Sequence, residues 1–210
     1  MKVLGFLVSL GLLASSARVI NFDTSAIGKM PTGWSSAMTN SGTPPRWEVL
    51  KDRTAPTQPY VLAQVSADQA HQHRTPLAIL NSMNVKDGDV SVRLKSVAGN
   101  EDPGGGVVWR YQNENNYYMA RANALNDTIS VYKVQNGRRI PLLAAVKHPV
   151  PKNGWCILKV SAKGDRFQVY VDHRRILQGQ DNTFTSAGKV GVSTTGDSVT
   201  YFDDFRVNPK

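Results

Sequence analysis

The residues best suited to chemistry lie close together: Arg110, Gln112, Tyr117, Arg121 and Asn123, all within GGGVVWRYQNENNYYMARAN, residues 104–123. Two alternating runs flank a polar turn there, which is the pattern of a β-hairpin. With Gln112 opposite Tyr117, alternation puts Val107, Trp109, Tyr111, Tyr118, Ala120 and Ala122 on one face. Val108, Arg110, Gln112, Tyr117, Met119, Arg121 and Asn123 take the other. The first set is an apolar core face. The second combines guanidiniums, amides and a phenol, the planar donors and flat ring that sugar hydroxyls and C–H faces demand. The plain alternative is the solvated outer face of a half-buried sheet, and a one-residue slip would exchange the two sets.

Acid–base chemistry is thinly provided. Cleavage of a glycosidic bond normally takes two carboxylates, and the chain has only three glutamates, Glu48, Glu101 and Glu114. Glu101 and Glu114 read as loop and turn residues, which leaves Glu48 as the one glutamate expected on a strand. No Gly-x-Ser-x-Gly elbow, His-Glu-x-x-His motif or phosphate-binding glycine loop occurs. Asp203 and Asp204 on the last expected strand, with Asp23 near a neighbouring one, could offer oxygen ligands to a structural Ca²⁺. His71 and His73 could share a strand face toward zinc, although histidines in a polar loop are usually solvent-exposed. Cys156 is the sole cysteine, so no internal disulfide can form, and its alternation with Leu158 and Val160 makes it a small buried hydrophobe.

The elements that must hold these residues are strands. Val90, Val92 and Leu94 alternate with Ser91, Arg93 and Lys95 in a half-buried strand, and Phe167, Val169 and Val171 repeat the pattern. Short strands are expected at Trp47–Leu50, Tyr60–Val65, Leu77–Leu80, Thr128–Val134, Cys156–Ala162, Gly188–Thr194 and Val199–Val207. Asn136-Gly137 is the strongest short hairpin signal, while Arg138-Arg139 and His173-Arg174-Arg175 read as turns. No run of ten or more residues has helical apolar spacing, and no internal repeat is visible. About a dozen strands with turns between them predict an all-β sandwich or barrel.

Residues 1–17 read as a signal peptide: Lys2, then an apolar run from Val3 to Ala14, then Ser15-Ser16-Ala17 as a cleavage site. Residues 18–210 are then a single exported domain, periplasmic or extracellular, with no later stretch long and apolar enough for a membrane span. The formal net charge is +9, and losing Lys2 leaves 24 cations against 16 acids. Such an excess attracts acidic partners, but the cations are dispersed rather than gathered on one helix or groove, which disfavours nucleic acid. An acidic polysaccharide fits better.

Further signatures carry a family resemblance. Asn21-Phe22-Asp23, Gly28 to Trp34 and Trp47-Glu48-Val49 resemble the first part of concanavalin A-like lectin/glucanase domains. Gly106 to Arg110, Asn116 to Tyr118, Val131 to Val134 with Asn136-Gly137, Gly154-Trp155, Gly188 to Gly191 and Phe202 to Val207 agree. The nearest branch by resemblance is a group of exported bacterial proteins related to 3-keto-disaccharide hydrolase domains. The resemblance spans residues 19–208 and implies a jelly-roll of two bent antiparallel sheets, with ligands bound on the concave face. Glucanases of this fold carry Glu-x-Asp-x-Glu on one strand, a motif absent here. The expected function is therefore a carbohydrate-binding domain using Arg110, Gln112, Tyr117, Arg121 and Asn123. A glycoside hydrolase or lyase acting on a disaccharide or keto-sugar derivative, and a structural or adhesion sandwich, are the alternatives.

Overall fold

The computed structural model describes residues 17–71 and 73–210, so residues 1–16 of the expected signal peptide lie outside the described residues. Every regular element described is a strand. In chain order these are β1 Arg18–Ile20, β2 Trp34–Thr39, β3 Trp47–Lys51, β4 Tyr60–Gln64, β5 Thr75–Val85, β6 Gly88–Ala98, β7 Gly104–Asn113 and β8 Asn116–Asn123. There follow β9 Thr128–Gln135, β10 Arg138–Pro141, β11 Val146–Lys147, β12 Trp155–Lys163, β13 Arg166–Val171, β14 Arg174–Gln180, β15 Gly188–Ser193 and β16 Val199–Pro209.

They form two antiparallel sheets. Sheet 1 runs β14-β13-β12-β6-β16-β4-β3, with β1 on β16; sheet 2 runs β10-β9-β8-β7-β15-β5-β2, with β11 on β9. Between them lies one core in which period-2 alternation delivers Val90, Val92, Leu94, Leu158, Val160 and Val169 from sheet 1. Val107, Trp109, Tyr118, Ala120, Val190 and Val192 meet them from sheet 2. Trp109 stacks on Tyr118 and tilts against Phe167 of the opposite sheet, while Trp34 and Phe205 meet edge-on. The expected jelly-roll sandwich is the observed architecture, and Cys156 is buried in its core. Burial pushes the Cys156 thiol up to about 12.

A second, smaller apolar cluster occupies the outer face of sheet 2. Leu77, Ile79, Val108, Tyr117, Met119 and Val134 are buried there, flanked by Ala37, Tyr111 and Tyr132. An outer face is ordinarily wet. This one is dry because the sheet curls over itself: the Tyr117 hydroxyl on β8 reaches Thr39 on β2.

The hairpin β7–β8 departs from strict alternation at one place. Pairing is regular from Gly104↔Asn123 to Trp109↔Tyr118, then shifts before Asn113↔Asn116. Arg110 absorbs the bulge at φ +49°, in the left-handed region. Beyond the bulge the faces exchange, so Tyr111 joins the outer cluster rather than the main core. Two turn expectations also change. Arg139 lies within strand β10, and Arg174 opens strand β14, because Asp172 and His173 make the preceding turn with φ of 46° and 69°. The Asn136-Gly137 hairpin forms as expected, both residues having positive φ (52° and 77°).

Candidate functional site

Of the five side chains singled out by sequence, three share the trough that sheet 2 forms. Tyr117, Arg121 and Asn123 project from β8 to its outer face, paired with Val134, Ser130 and Thr128 of β9. Tyr117 is 0% exposed, its hydroxyl 2.7 Å from Thr39 Oγ1, and burial pushes its phenol well above the ordinary value. It is the floor of the trough, not its surface. Arg121 is 5% exposed; it pairs with Asp102 Oδ1 at 2.6 Å and donates to the Asp102 carbonyl at 2.7 Å. Burial pulls the Arg121 guanidinium down from its usual value, and Asp102 opposes that pull. Asn123 donates to Asp102 Oδ1 and accepts from the N–H groups of Leu125 and Asn126, closing the turn after β8.

Arg110 and Gln112 lie elsewhere, which corrects their expected placement. The bulge turns Arg110 away from the trough, where its guanidinium donates to the carbonyls of Lys86, Phe184 and Gly164 and to Asp87 Oδ1. At 3% exposure it is a clamp joining three connecting segments at one end of the sandwich. Gln112 is exposed and its amide donates to the carbonyls of Arg110 and Ala187. Nothing in residue spacing announces a bulge centred on an arginine, so alternation alone could not separate these two from Tyr117.

The accessible part of the trough is built largely from residues expected in turns and loops. Arg139 stands opposite Val134 in the hairpin that follows Asn136-Gly137. Its guanidinium carbon lies 5.3 Å from the centre of the half-buried Tyr132 ring, a cation–π arrangement, and Nη1 reaches Thr195 Oγ1 at 3.5 Å. Above it opens a hollow of about 790 Å³ walled by Asn40, His71, His73, Arg74, Arg138 and Arg139. Among the described residues no carboxylate lines this hollow. The register of the Asn-Gly hairpin could have placed Arg139 beside Tyr132, but nothing local connects either to residues 40 or 71.

The loop wall is held rigid from behind. Arg74 is fully buried and donates to the carbonyls of Thr43, Ser66 and Gly196 and to Ser66 Oγ. Asp68 accepts the N–H groups of Thr43, Ala70 and His71 and faces His71 Nδ1 at 3.0 Å. These hydrogen bonds, led by that from Thr43, hold the Asp68 carboxyl far below the usual range. On the floor, Ser193, Gly106 and Arg121 form one register row. Ser193 Oγ and Arg121 Nε in that row are buried with no hydrogen-bond partner among the described residues. Buried polar atoms without partners are rare and costly.

Asp23, Asp203 and Asp204 do converge, and most of their oxygens already accept protein donors. Asp203 accepts the N–H groups of Thr57 and Asp204, and Asp23 accepts that of Tyr60. Asp204 takes the Thr57 hydroxyl and the Arg93 guanidinium, at 2.9 and 3.1 Å. Burial, with Asp204 and Asp23 adding repulsion, pushes Asp203 up to about 6. Among the described residues no group of three acid, histidine or cysteine side chains is arranged to hold a metal ion. A calcium ion here would compete with these donors for the carboxylate oxygens. Of the glutamates, Glu48 is paired with Arg46 at 3.0 Å on the outside of sheet 1.

No family model matches the chain. The levanase of Bacillus subtilis (strain 168) is 30% identical over 116 residues, which is 55% of this chain and 17% of that protein. The chain thus spans less than a fifth of that relative's length. Among solved structures, carbohydrate binding module CBM66 from Bacillus subtilis superposes with a TM-score of 0.65 at 23% identity, over 83% of this chain and 95% of that one. The carbohydrate recognition domain of Emp47p gives 0.61 at 13% identity, over 95% and 100% of the two chains. The exoplasmic/lumenal domain of VIP36 in a Ca²⁺/Man-bound form gives 0.56 at 13%, over 86% and 84%. At these identities the likeness speaks for the fold alone, and with the two-sheet topology it shows a jelly-roll β-sandwich like that of these carbohydrate-binding and carbohydrate-recognition domains.

Proposed function

We propose that the domain binds carbohydrate in the hollow at the mouth of the sheet 2 trough. The observation that carries this reading is the lining of that hollow. Planar nitrogen donors from Asn40, His71, His73, Arg138 and Arg139 surround it, with the Tyr132 ring beneath Arg139. Sugars are bound by such donors aimed at hydroxyls beside an aromatic surface. Deeper in the trough, Arg121 Nε and Ser193 Oγ are buried without partners among the described residues, and a bridging water would satisfy them. The names of two relatives, a levanase and a carbohydrate binding module, support the same class of ligand.

Binding is favoured over hydrolysis because no carboxylate among the described residues lines the hollow, whereas glycosidases flank the scissile bond with two. A positive net charge favours acidic glycans among the candidates. Export by the expected signal peptide would bring the domain to extracellular polysaccharide. Calcium at Asp23, Asp203 and Asp204 would have to compete with the Arg93 guanidinium and backbone donors. A calcium-dependent rise in melting temperature that disappears in Asp203→Ala would install it.

The test is a thermal-shift screen against neutral and acidic mono- and oligosaccharides. At a hundredfold excess over Kd, a ligand adds about 2.7 kcal/mol, or roughly 5–10 °C for a domain of this size. The expected result is a shift with at least one sugar that is lost in Arg139→Ala and in Tyr132→Ala. If no sugar shifts the transition, the structural or adhesion reading takes its place.

A further inference from the structure

A second surface, on the far side of the molecule, has a different character. The outer face of sheet 1 carries the register row Arg206, Ser91, Lys159, Tyr170, Arg175 across strands β16, β6, β12, β13 and β14. Arg93, opposite Ile157, follows in the adjacent row. Adjacent strands are roughly 4.8 Å apart, so Arg206, Lys159 and Arg175, each two strands from the next, recur at roughly 10 Å along a line crossing the sheet.

Within this row lies a hollow of about 300 Å³ whose walls include Arg93, Lys159, His173 and Arg206, with Tyr170 and Ile157 as its apolar sides. One carboxylate lines it, Asp204. Asp204 lies 3.1 Å from Arg93 Nε and 3.7 Å from an Nη of Arg206, so it orients two guanidiniums while leaving most of their N–H groups free for another acceptor. Lys159 has no carboxylate within ion-pair reach among the described residues; its ammonium lies 4.2 Å from the centre of the Tyr170 ring. Three cations against one lining carboxylate leave the hollow short of negative charge, the next carboxylate near Lys159 being Asp89, which Lys210 already pairs. Charge pairs elsewhere on the molecule are balanced one to one, as in Lys133–Asp181 and Lys210–Asp89.

We infer that this face binds a linear acidic polysaccharide, its anionic groups entering the hollow between Arg93, Lys159 and Arg206 and its chain lying along the row toward Arg175. Arginine forks suit carboxylate and sulfate oxygens, and the half-buried Tyr170 and Ile157 present apolar surface to sugar C–H groups. The choice of a glycan over other polyanions rests on the proposed sugar-binding role of the domain. The surface itself is separate from the sheet 2 hollow and shares no residue with it.

The test measures affinity of the whole protein for polygalacturonate (carboxylate), heparin (sulfate) and duplex DNA (phosphate), each at low and high salt. The expected result is salt-sensitive binding to polygalacturonate or heparin. It should weaken about tenfold or more in the double variant Lys159→Gln/Arg206→Gln and persist in Arg139→Ala. Which polymer binds identifies the anionic group. Circular dichroism and an unchanged melting temperature establish that the double variant is folded, as expected for two surface substitutions. Equal binding by the double variant, or loss on Arg139→Ala alone, would overturn the assignment to sheet 1. Tighter binding to DNA than to either polysaccharide would overturn the choice of glycan. Failure of the mono- and oligosaccharide screen would leave this measurement intact, because the two faces are scored by different variants.

Discussion

The Tyr117 hydroxyl lies 2.7 Å from Thr39 Oγ1, although β7, β15 and β5 separate their strands within sheet 2. Four strand spacings amount to roughly 19 Å on a flat sheet. A phenol cannot span that distance, so the hydrogen bond measures the curl directly. Arg139, reaching from β10 to Thr195 beyond the end of β15, makes a second tie of the same kind. Curling brings two rows of side chains together, gives sheet 2 its second core and leaves only the mouth of the trough open to a ligand.

Tyr117→Phe should therefore act on stability. Thr39 keeps its bond to the Glu114 carbonyl, so the expected cost is about 1 kcal/mol. Urea denaturation reads that loss, and sugar affinity should change less than twofold. A large loss of affinity at unchanged stability would place the ring in contact with ligand.

Arg110→Ala removes four hydrogen bonds from one buried guanidinium and strands their acceptors. The expected cost is roughly 3 kcal/mol or more, measured by chemical denaturation. Arg110→Lys should recover only part of it, since an ammonium lacks the planar fork. Neither variant, while folded, should alter sugar binding.

Stability should fall in acid through Asp181. Burial opposes its ionisation, but hydrogen bonds from Thr183, Tyr118 and Lys133 outweigh burial and hold it at about 2. Because the folded value lies below the unfolded one, its contribution is present above about pH 4 and disappears as pH falls toward 2, a difference of about 2 kcal/mol. Asp181→Asn should be less stable than the parent from pH 5 to 8, and the gap should close on acidification. A gap independent of pH would mean that the charge is not what matters.

Cys156, with its thiol at about 12, should resist alkylation at pH 8 in the native protein and react fully in denaturant. Mass spectrometry of iodoacetamide-treated protein distinguishes the two. Ready modification under native conditions would show that β12 opens locally.

Much of the fold is legible in residue order because alternation is a local property. Val107 and Trp109 against Tyr118 and Ala120, or Leu158 and Val160 against Val169 and Val171, could be assigned to the core from spacing alone. Alternation fails where a single residue is inserted. Arg110 in a left-handed conformation leaves no compositional trace, and it exchanges the faces of everything between it and the turn. The Asp172-His173 turn is silent for a related reason: it adopts positive φ without the glycine that normally marks such a turn. The hollow at the trough mouth lies further out of reach. Asn40, His71 and Arg139 come from separate segments, and only the curl of sheet 2 brings the β9–β10 hairpin against the other two.

The position of β16 has a consequence for the order in which the molecule can assemble. The last strand in the chain lies inside sheet 1, hydrogen-bonded to β6 on one side and to β4 and β1 on the other. Until residues 199–209 emerge, β3-β4 and β6-β12-β13-β14 are two fragments with unpaired edges and half of the main core uncovered. The nascent domain therefore cannot close from its N-terminus onward. Its transition state must recruit contacts that span almost the whole chain, which makes folding slow for its size. A chain of this topology commits to its structure late, when β16 joins β6 to β4 and completes sheet 1.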